Sequence, residues 1–156
     1  MPRHQSFDRL SIEGDPEAIR FPRPMAGDGT YDFSFSGLKT AVVNHVRKHP
    51  EVATADVAAS FQEAVVDVLV TKARAAAREV GAKGLCLGGG VAANSRLREQ
   101  FHDACVVDGI RGFLPSREMC TDNAAMVASA AWYRWQSDGP SSLDTGAFPT
   151  LGLPVG

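Results

Sequence analysis

A short strand, a glycine turn and the start of a helix follow one another in the stretch LCLGGGVAANSRLR, residues 85–98. The glycines Gly88, Gly89 and Gly90 carry no Cβ atoms, so another backbone or a phosphate can approach the chain closely. A helix capped by Asn94 would offer unpaired N–H groups and the positive end of its dipole. Two interpretations stay open: a nucleotide or anion site, and a tight strand-to-helix turn with an ordinary asparagine cap.

The glycine turn differs from two common nucleotide motifs. No Lys-Ser or Lys-Thr pair follows the glycines, as the phosphate-loop pattern requires. The spaced G-x-G-x-x-G of dinucleotide-binding proteins is also missing. The residues alone therefore indicate an anion or nucleotide site without naming the ligand.

Composition indicates a cytoplasmic protein of one domain, or part of a larger one. The chain has 156 residues, 44% of them hydrophobic, and a formal net charge of −2. Its three cysteines form no C-x-x-C pair, and we expect free thiols in a reducing compartment. No apolar run resembles a signal peptide or a membrane span. We interpret three small basic clusters as solvated helix faces: Arg47-Lys48, Lys72/Arg74/Arg78 and Arg96/Arg98.

Apolar periodicity and breakers predict helices and two strands. We expect residues 1–33 to be extended or looped, with a helical turn near 7–12, and the chain to be irregular from Gly139. Two strands are too few for a complete sheet, which predicts an α/β fold with an incomplete sheet. The predicted helices span 36–49, 55–80 and 95–104, with a last one capped by Thr121, and the strands span 83–87 and 111–114.

Three further groups are candidates for chemistry. Asp122 could be a metal ligand or a phosphate-site acid, although an acid at a helix start is more often stabilised by the dipole. His45 and His49 share one helix face with metal-competent spacing, but two solvated histidines are the favoured interpretation. The segment Ser36-Gly37-Leu38-Lys39 could approach a phosphate, and on local evidence we favour a serine cap before an amphipathic helix.

Four segments in fixed order are far more specific than any single motif. They are FPRPM…YDFSFSGLKTAV, ASFQEAVVDVLV, LCLGGGVAANSRLR and CTDNAAMVA. Together they resemble the C-terminal part of the tRNA adenosine threonylcarbamoyltransferase family (TsaD/Gcp, once labelled O-sialoglycoprotein endopeptidase), over about residues 7–135. The resemblance implies part of an actin-like ATPase (ribonuclease-H-like, ASKHA) fold. Residues 1–138 would form a helix-rich C-terminal lobe, with an irregular tail over 139–156 and the upstream lobe absent.

The resemblance also implies an activity and its partners. Members of the family transfer a threonylcarbamoyl group from threonylcarbamoyl-AMP to N6 of the adenosine 3′ of the tRNA anticodon. They work with a TsaB-like paralogue and a TsaE-like ATPase, and a homodimer is a further expectation. Matched by position, Asn94 and the glycines Gly88, Gly89 and Gly90 would bind the nucleotide. Asp122 would be a ligand of one divalent metal, iron or zinc.

The chain departs from the family pattern in one respect. The family's metal-binding histidine pair lies upstream of this sequence, so Asp122 would be the one protein ligand left of three. We therefore expect the isolated chain to bind metal weakly or not at all and to be inactive. Alternatives are a non-catalytic interaction or dimerisation module with an exposed sheet edge, and another actin-like-fold carbamoyltransferase. The sequence contains neither a zinc-peptidase motif nor a nucleophile dyad, so it does not support peptidase activity.

Overall fold

The computed structural model describes residues 3–146, with side chains from residue 7 onward. The chain divides into two compact units, Met1–Thr121 and Asp122–Gly156. Of the tail predicted over 139–156, residues 139–146 contain no helix or strand, and residues 147–156 lie outside the described part.

Most predicted elements are confirmed, with shifted ends. The prediction of a single helical turn near residues 7–12 is wrong, because the N-terminal helix spans ten residues. The fourth helix also runs four residues beyond the predicted end at Ala104. The elements are α1 (Arg3–Ile12), α2 (Ser36–Lys48), α3 (Thr54–Glu79), β1 (Gly84–Cys86), α4 (Ser95–Asp108), β2 (Arg111–Phe113) and α5 (Ala124–Asp138), with 3₁₀ turns at Gly90–Ala93 and Arg117–Cys120.

The long helix α3 lies between two hydrophobic clusters of the first unit. Towards α4, its Val66 and Val70 pack against Leu97 and Ala104. Towards α2, Ala64 packs against the fully buried Leu38 and against Phe21 of the preceding loop. Because apolar residues recur around α3, the helix buries more than one face and becomes the scaffold on which α1, α2 and α4 are placed.

Two strands form a parallel pair, as expected for an incomplete sheet. Leu85 of β1 lies opposite Gly112 of β2, and α4 makes the crossover between them. A Cβ at Gly112 would lie 3.1 Å from both Cys105 Sγ and Phe101 Cε1, so a glycine lets β2 approach α4 closely. Across the described residues, these are the two strands that pair into a sheet.

Two predicted helix caps are wrong. The N-cap position of α2 is Phe35, whose carbonyl accepts the Lys39 N–H, and Ser36 is already inside the helix. At α5 the cap is Asn123 and not Thr121, because the Asn123 Oδ1 accepts the Met126 N–H at 3.0 Å. Asn123 immediately precedes the first helical residue, which is the cap position, whereas Thr121 lies two residues further from the helix start.

Candidate nucleotide site

The glycine turn leaves β1 and faces open space. Gly89 has φ +82°, a conformation that favours glycine. A Cβ built on Gly88, Gly89 or Gly90 would meet no described atom within 4 Å. A 3₁₀ turn, Gly90–Ala93, connects the glycine turn to α4, which begins at Ser95 as the sequence predicts. The turn thus has room for an approaching ligand.

Asn94 is confirmed as the cap of α4, and its side chain is fully engaged. Its Oδ1 accepts the Leu97 N–H at 2.9 Å. Its Nδ2 donates to Asp8 Oδ1 at 2.9 Å and to Gln62 Oε1 at 2.7 Å. Both amide protons of Asn94 therefore bond within the chain.

Asp8 of α1 occupies the N-terminal end of α4. Its Oδ1 accepts the Ser95 N–H at 3.0 Å, and its Oδ2 accepts the Ser95 hydroxyl at 2.6 Å. Arg117 donates to the same hydroxyl and lies 3.9 Å from Asp8 Oδ2. The Ser95 and Leu97 N–H groups are thus already bonded, contrary to the expectation that they would be unpaired.

A cleft of about 570 Å³ lies beside this network, within the size range of small-molecule sites. One side is formed by the chain from the glycine turn to the helix cap, including Gly90, Val91 and Asn94. Most of the lining is apolar and comes from three other helices, with Phe7 and Phe61 in edge-to-face contact at 6.0 Å. The apolar side chains of this wall are Phe7, Phe35, Phe61, Val65, Val66 and Leu69.

A few polar groups converge on the cleft. Asp8, Gln62 and Asn94 lie at its polar side, and Lys39 from the first turn of α2 also lines it. The described contacts include no ion pair or hydrogen bond of the Lys39 ammonium. An apolar wall with a small set of polar groups is the composition typical of a small-molecule site.

Asp122 is the predicted site residue outside this unit. It is exposed and lies between the second 3₁₀ turn and α5, at the start of the second unit. Within residues 3–146, no group of three or more His, Cys, Asp or Glu side chains could hold a metal ion. The donors within the described residues therefore do not by themselves fit the iron or zinc that the family resemblance implies.

The interpretation of His45 as a solvated histidine is wrong. Its ring lies edge-to-face against Phe21 with centroids 5.6 Å apart, and its Nε2 is buried without a hydrogen-bond partner among the described residues. The His49 ring lies 4.7 Å from the His45 ring, and its side chain stays half exposed beside Glu51. The pair therefore belongs to the packing of α2, and it is not part of a group of three or more candidate metal ligands among the described residues.

The prediction that the basic clusters on α3 and α4 are solvated helix faces is also wrong, because most of their members are not solvated. Lys72 is 3% exposed, and its ammonium donates to Asp28 Oδ1, the Thr30 carbonyl and the Asp32 carbonyl at 2.7–3.0 Å. The Thr30 N–H and then Lys72 hold the pKa of Asp28 below its ordinary value. Lys72 thereby fixes the loop that leads to α2.

Arg74, Arg78 and Arg96 make ion pairs between α3 and α4. Arg74 and Arg78 bind Asp108 at 2.7 and 2.6 Å. Arg96 makes two hydrogen bonds to Glu63, which hold the pKa of that carboxyl below its ordinary value. These partners lie about thirty residues away in sequence, so local patterns did not reveal them.

Sequence reasoning also missed Asp8 and Gln62 at the cleft. Gln62 belongs to the ASFQEAVVDVLV segment, in which the sequence assigned no residue to the site. Asp8 lies in a region predicted to be mostly loop, 86 residues before Asn94. The one signal available for Gln62 was that it is a polar residue at a buried position of α3.

This geometry defines a class of protein: an α/β unit whose cleft lies beyond the carboxyl end of a parallel strand, where such folds bind ligands. The family model described as "TsaD: tRNA N6-adenosine threonylcarbamoyltransferase" matches residues 1–129. The chain therefore belongs to the TsaD family, whose fold is actin-like, and its helix-rich structure with a small parallel sheet is consistent with that fold.

Individual relatives carry the same name. The tRNA N6-adenosine threonylcarbamoyltransferase of Geobacter sp. (strain M21) is 48% identical over 151 residues, and that of Geotalea uraniireducens (strain Rf4) is 47% identical over 151 residues. The protein of that name from Geotalea daltonii is 54% identical over 126 residues. The chain spans 44% of the length of the first two relatives and 37% of the third.

Among the described residues, no helix has both the length and the apolar character needed to cross a membrane. Cys86, Cys105 and Cys120 are free thiols, as expected. Burial raises the pKa of the Cys105 thiol, with a smaller contribution from the nearby Asp108 carboxylate.

Proposed function

We propose that this chain forms the C-terminal portion of a tRNA N6-adenosine threonylcarbamoyltransferase and contributes one wall of its adenylate site. The observation that carries the proposal is the cleft of about 570 Å³ bounded by Gly90, Val91 and Asn94. Membership of the TsaD family supports the identity of the ligand, threonylcarbamoyl-AMP, and of the acceptor, tRNA.

Each part of the cleft suits one part of the adenylate. The aromatic side chains Phe7, Phe35 and Phe61 offer apolar surface to the adenine ring. The space that a Cβ would occupy at each of the three glycines is open, so a phosphate can approach the backbone of the turn. The Lys39 ammonium supplies positive charge at the same cleft.

The proposed reaction joins the carbamoyl carbon to N6 of the tRNA adenosine. The N6 amine attacks that carbon, the bond from the carbon to the phosphate oxygen breaks, AMP leaves, and N6 loses one proton. The described residues of this chain would hold the adenylate so that its carbonyl faces the amine. Such positioning converts a bimolecular encounter into a step within one complex and lowers the barrier by several kcal/mol, on the order of ten at most.

The proposal includes Asp122 as one ligand of a divalent metal in a longer parent protein, and it derives no step from that metal. It also includes a TsaB-like paralogue and a TsaE-like ATPase as partners, a homodimer as an alternative assembly, and a cytoplasmic location. The support for these points is the family resemblance of the segments around Leu38, Asn94 and Asp122.

Calorimetry with AMP tests the cleft directly. We expect the purified 156-residue chain to bind AMP and the Gly90→Val variant to bind it at least about tenfold more weakly, because the new side chain enters the cleft. Gly27→Val is the matched control, since a Cβ there also meets open space and Gly27 does not line the cleft. Equal affinity of both variants for AMP would overturn the proposed site.

An activity assay tests the second half of the proposal. We expect the isolated chain to transfer no threonylcarbamoyl group to tRNA, because its described residues lack a metal-binding group. Mass spectrometry of digested tRNA detects the modified adenosine. Modified nucleoside formed by the purified chain alone would contradict this expectation.

A further inference from the structure

We infer that two copies of this chain pair through α5, with the two helices antiparallel and their apolar sides in contact. The inference gives an interface to the homodimer, which the proposed function includes only as an alternative assembly, and it does not depend on the adenylate site. It starts from the exposure of α5. This helix lies wholly within the described part of the chain, spans 15 residues and buries none of them.

Apolar residues form a continuous stripe along α5. They recur at intervals of three and four residues, so they lie within about 140° of the helix circumference. Trp132 and Trp135 are 62% and 61% exposed, and Val127 is 66% exposed. The polar residues Ser129 and Gln136 lie on the other side of the helix. The stripe consists of Ala124, Val127, Ala128, Ala131, Trp132 and Trp135.

A helix with this stripe requires a partner for stability. Isolated helices of about 12–15 residues are marginal in water, and most helices in proteins gain their stability by packing an apolar face. An exposed apolar patch that includes two indoles is typical of an interaction surface. The two charged residues of α5, Arg134 and Asp138, have opposite signs and lie 3.6 Å apart. The helix therefore offers no net charge to a nucleic acid, and an apolar protein surface is the partner that fits it.

The order of residues along the stripe makes it complementary to itself. Small side chains occupy its N-terminal half, and both indoles lie in its C-terminal half. When two copies run antiparallel, each indole of one copy lies opposite a small side chain of the other. The opposed pairs are Ala128 with Ala131, Trp132 with Val127, and Trp135 with Ala124. A parallel pair would instead place indole against indole and alanine against alanine, and it would align the two helix dipoles unfavourably.

The same arrangement closes on itself and has the size of a reversible dimer. Because each helix presents one patch to the same patch, two copies complete the contact with two-fold symmetry. Alanines at the centre let the helix axes approach to about 8 Å. With four largely exposed indoles, the paired stripes would bury roughly 1,000 Å², the low end for a specific interface. We therefore expect a dissociation constant of about 1–100 µM.

Sedimentation equilibrium over a range of concentrations tests the dimer. The average mass of the unmodified chain should rise from 16.6 kDa towards twice that value. Because Trp132 and Trp135 are the two tryptophans of the chain, their emission should move to shorter wavelength over the same range. This series requires no variant. A chain that stays monomeric at concentrations up to about 200 µM would overturn the inference.

A glutamate placed inside or outside the stripe tests the interface. We expect Ala128→Glu to raise the dissociation constant at least about tenfold, because each dimer would bury two carboxylates among apolar side chains. Ala130→Glu is the matched control, since it makes the same exposed substitution on the other side of the same helix, and it should change the constant by less than about twofold. Equal effects of the two substitutions would overturn the inference.

Mixing two variants tests the antiparallel order. Ala124→Glu and Trp135→Lys should each dimerise at least about tenfold more weakly than the unmodified chain. An equimolar mixture should recover most of the lost affinity, because the glutamate of one copy then lies opposite the lysine of the other and the second indole keeps its alanine. A parallel pair would show no recovery, and that result would overturn the inference.

Two further measurements identify any other partner and separate this inference from the proposed function. A monomer whose tryptophan emission shifts only when tRNA is added would make nucleic acid the partner and would overturn the inference. Ala128 does not line the cleft, so Ala128→Glu should bind AMP as the unmodified chain does. Loss of the dimer with AMP binding unchanged supports the α5 interface, whereas a monomeric unmodified chain that binds AMP overturns the inference alone.

Discussion

The helices α4 and α5 have the same residue types at both ends but different contacts. Each follows an asparagine cap, Asn94 or Asn123, whose side chain accepts an N–H three residues later. Each ends at an aspartate followed by a glycine, Asp108 or Asp138. Yet α4 takes partners from α1 and α3 at its two ends, whereas Asp138 pairs with Arg134 of its own helix at 3.6 Å.

The difference shows what a helix-end signal in the sequence does and does not determine. An asparagine before a helix fixes the local cap in both cases. It does not fix whether the same side chain is built into a larger network. At Asn94 the amide also joins Asp8 and Gln62 and thereby forms the polar side of a cleft. At the start of α4, the helix cap is therefore also part of the proposed binding site.

The largest expected effect comes from removing each cap in turn. Asn94→Ala should lower the free energy of unfolding by about 3 kcal/mol, because it removes a cap, takes the donor from the oxygen of the buried Gln62 and takes one of three donors from the Asp8 carboxylate. Asn123→Ala removes a cap from a helix that has no buried residue, so it should cost about 1 kcal/mol. Urea unfolding of both variants, followed by far-ultraviolet circular dichroism, measures the two values.

Fluorescence adds a local probe to that experiment. Both tryptophans of the chain, Trp132 and Trp135, lie in α5, so their emission reports this helix. Asn123→Ala should shift the fluorescence transition, and Asn94→Ala should shift mainly the circular dichroism transition. Equal losses of stability in the two variants would contradict the distinction drawn between the two caps.

The sequence predicted the elements whose signals are local. The glycine turn and the Asn94 cap act within a few residues, and both are confirmed. The glycine after α3 also acts locally. In Gly81, for example, positive φ lets the Ala82 N–H bond to the Ala77 carbonyl. Family resemblance added the fold, since two strands by themselves could not specify one.

The sequence could not predict the contacts that join distant segments. Lys72 and Arg74 lie on α3 with spacing typical of a solvated face, yet their acceptors are 34 to 44 residues away along the chain. Asp8 and Asn94 are further apart still. Periodicity reports which side of a helix is apolar, and it contains no information on which carboxylate will approach from another element.

The second comparison concerns the aspartates at the helix ends and gives a smaller, pH-dependent effect. Hydrogen bonds from Arg74 and then Arg78 hold the pKa of Asp108 well below its ordinary value. A lowered pKa in the folded state contributes stability above the unfolded pKa, about 4, and that contribution is lost as the pH falls below it. Asp108→Asn should therefore lower Tm at neutral pH and converge on the unmodified chain in acid.

Asp138→Asn is the control for this titration. Its exposed pair with Arg134 at i, i+4 spacing is worth about 0.3–0.5 kcal/mol at most. Differential scanning calorimetry from about pH 7 to about pH 2.5 compares the variants across the range in which carboxylates protonate. A Tm difference for Asp108→Asn that stays constant over this range would show that the ion pairs with α3 are not its cause.

The smallest expected effect falls on Asp122, which precedes the cap of α5. It is exposed, and the described residues offer no metal-binding group, so Asp122→Asn should change the free energy of unfolding by less than about 0.5 kcal/mol. The isolated chain and the variant should bind zinc equally weakly in calorimetry, because one carboxylate cannot supply the three or more protein ligands of a zinc site. Tight zinc binding that the substitution abolishes would mean that this chain assembles a metal site from its own residues, and the start of α5 would then be as functional as the start of α4.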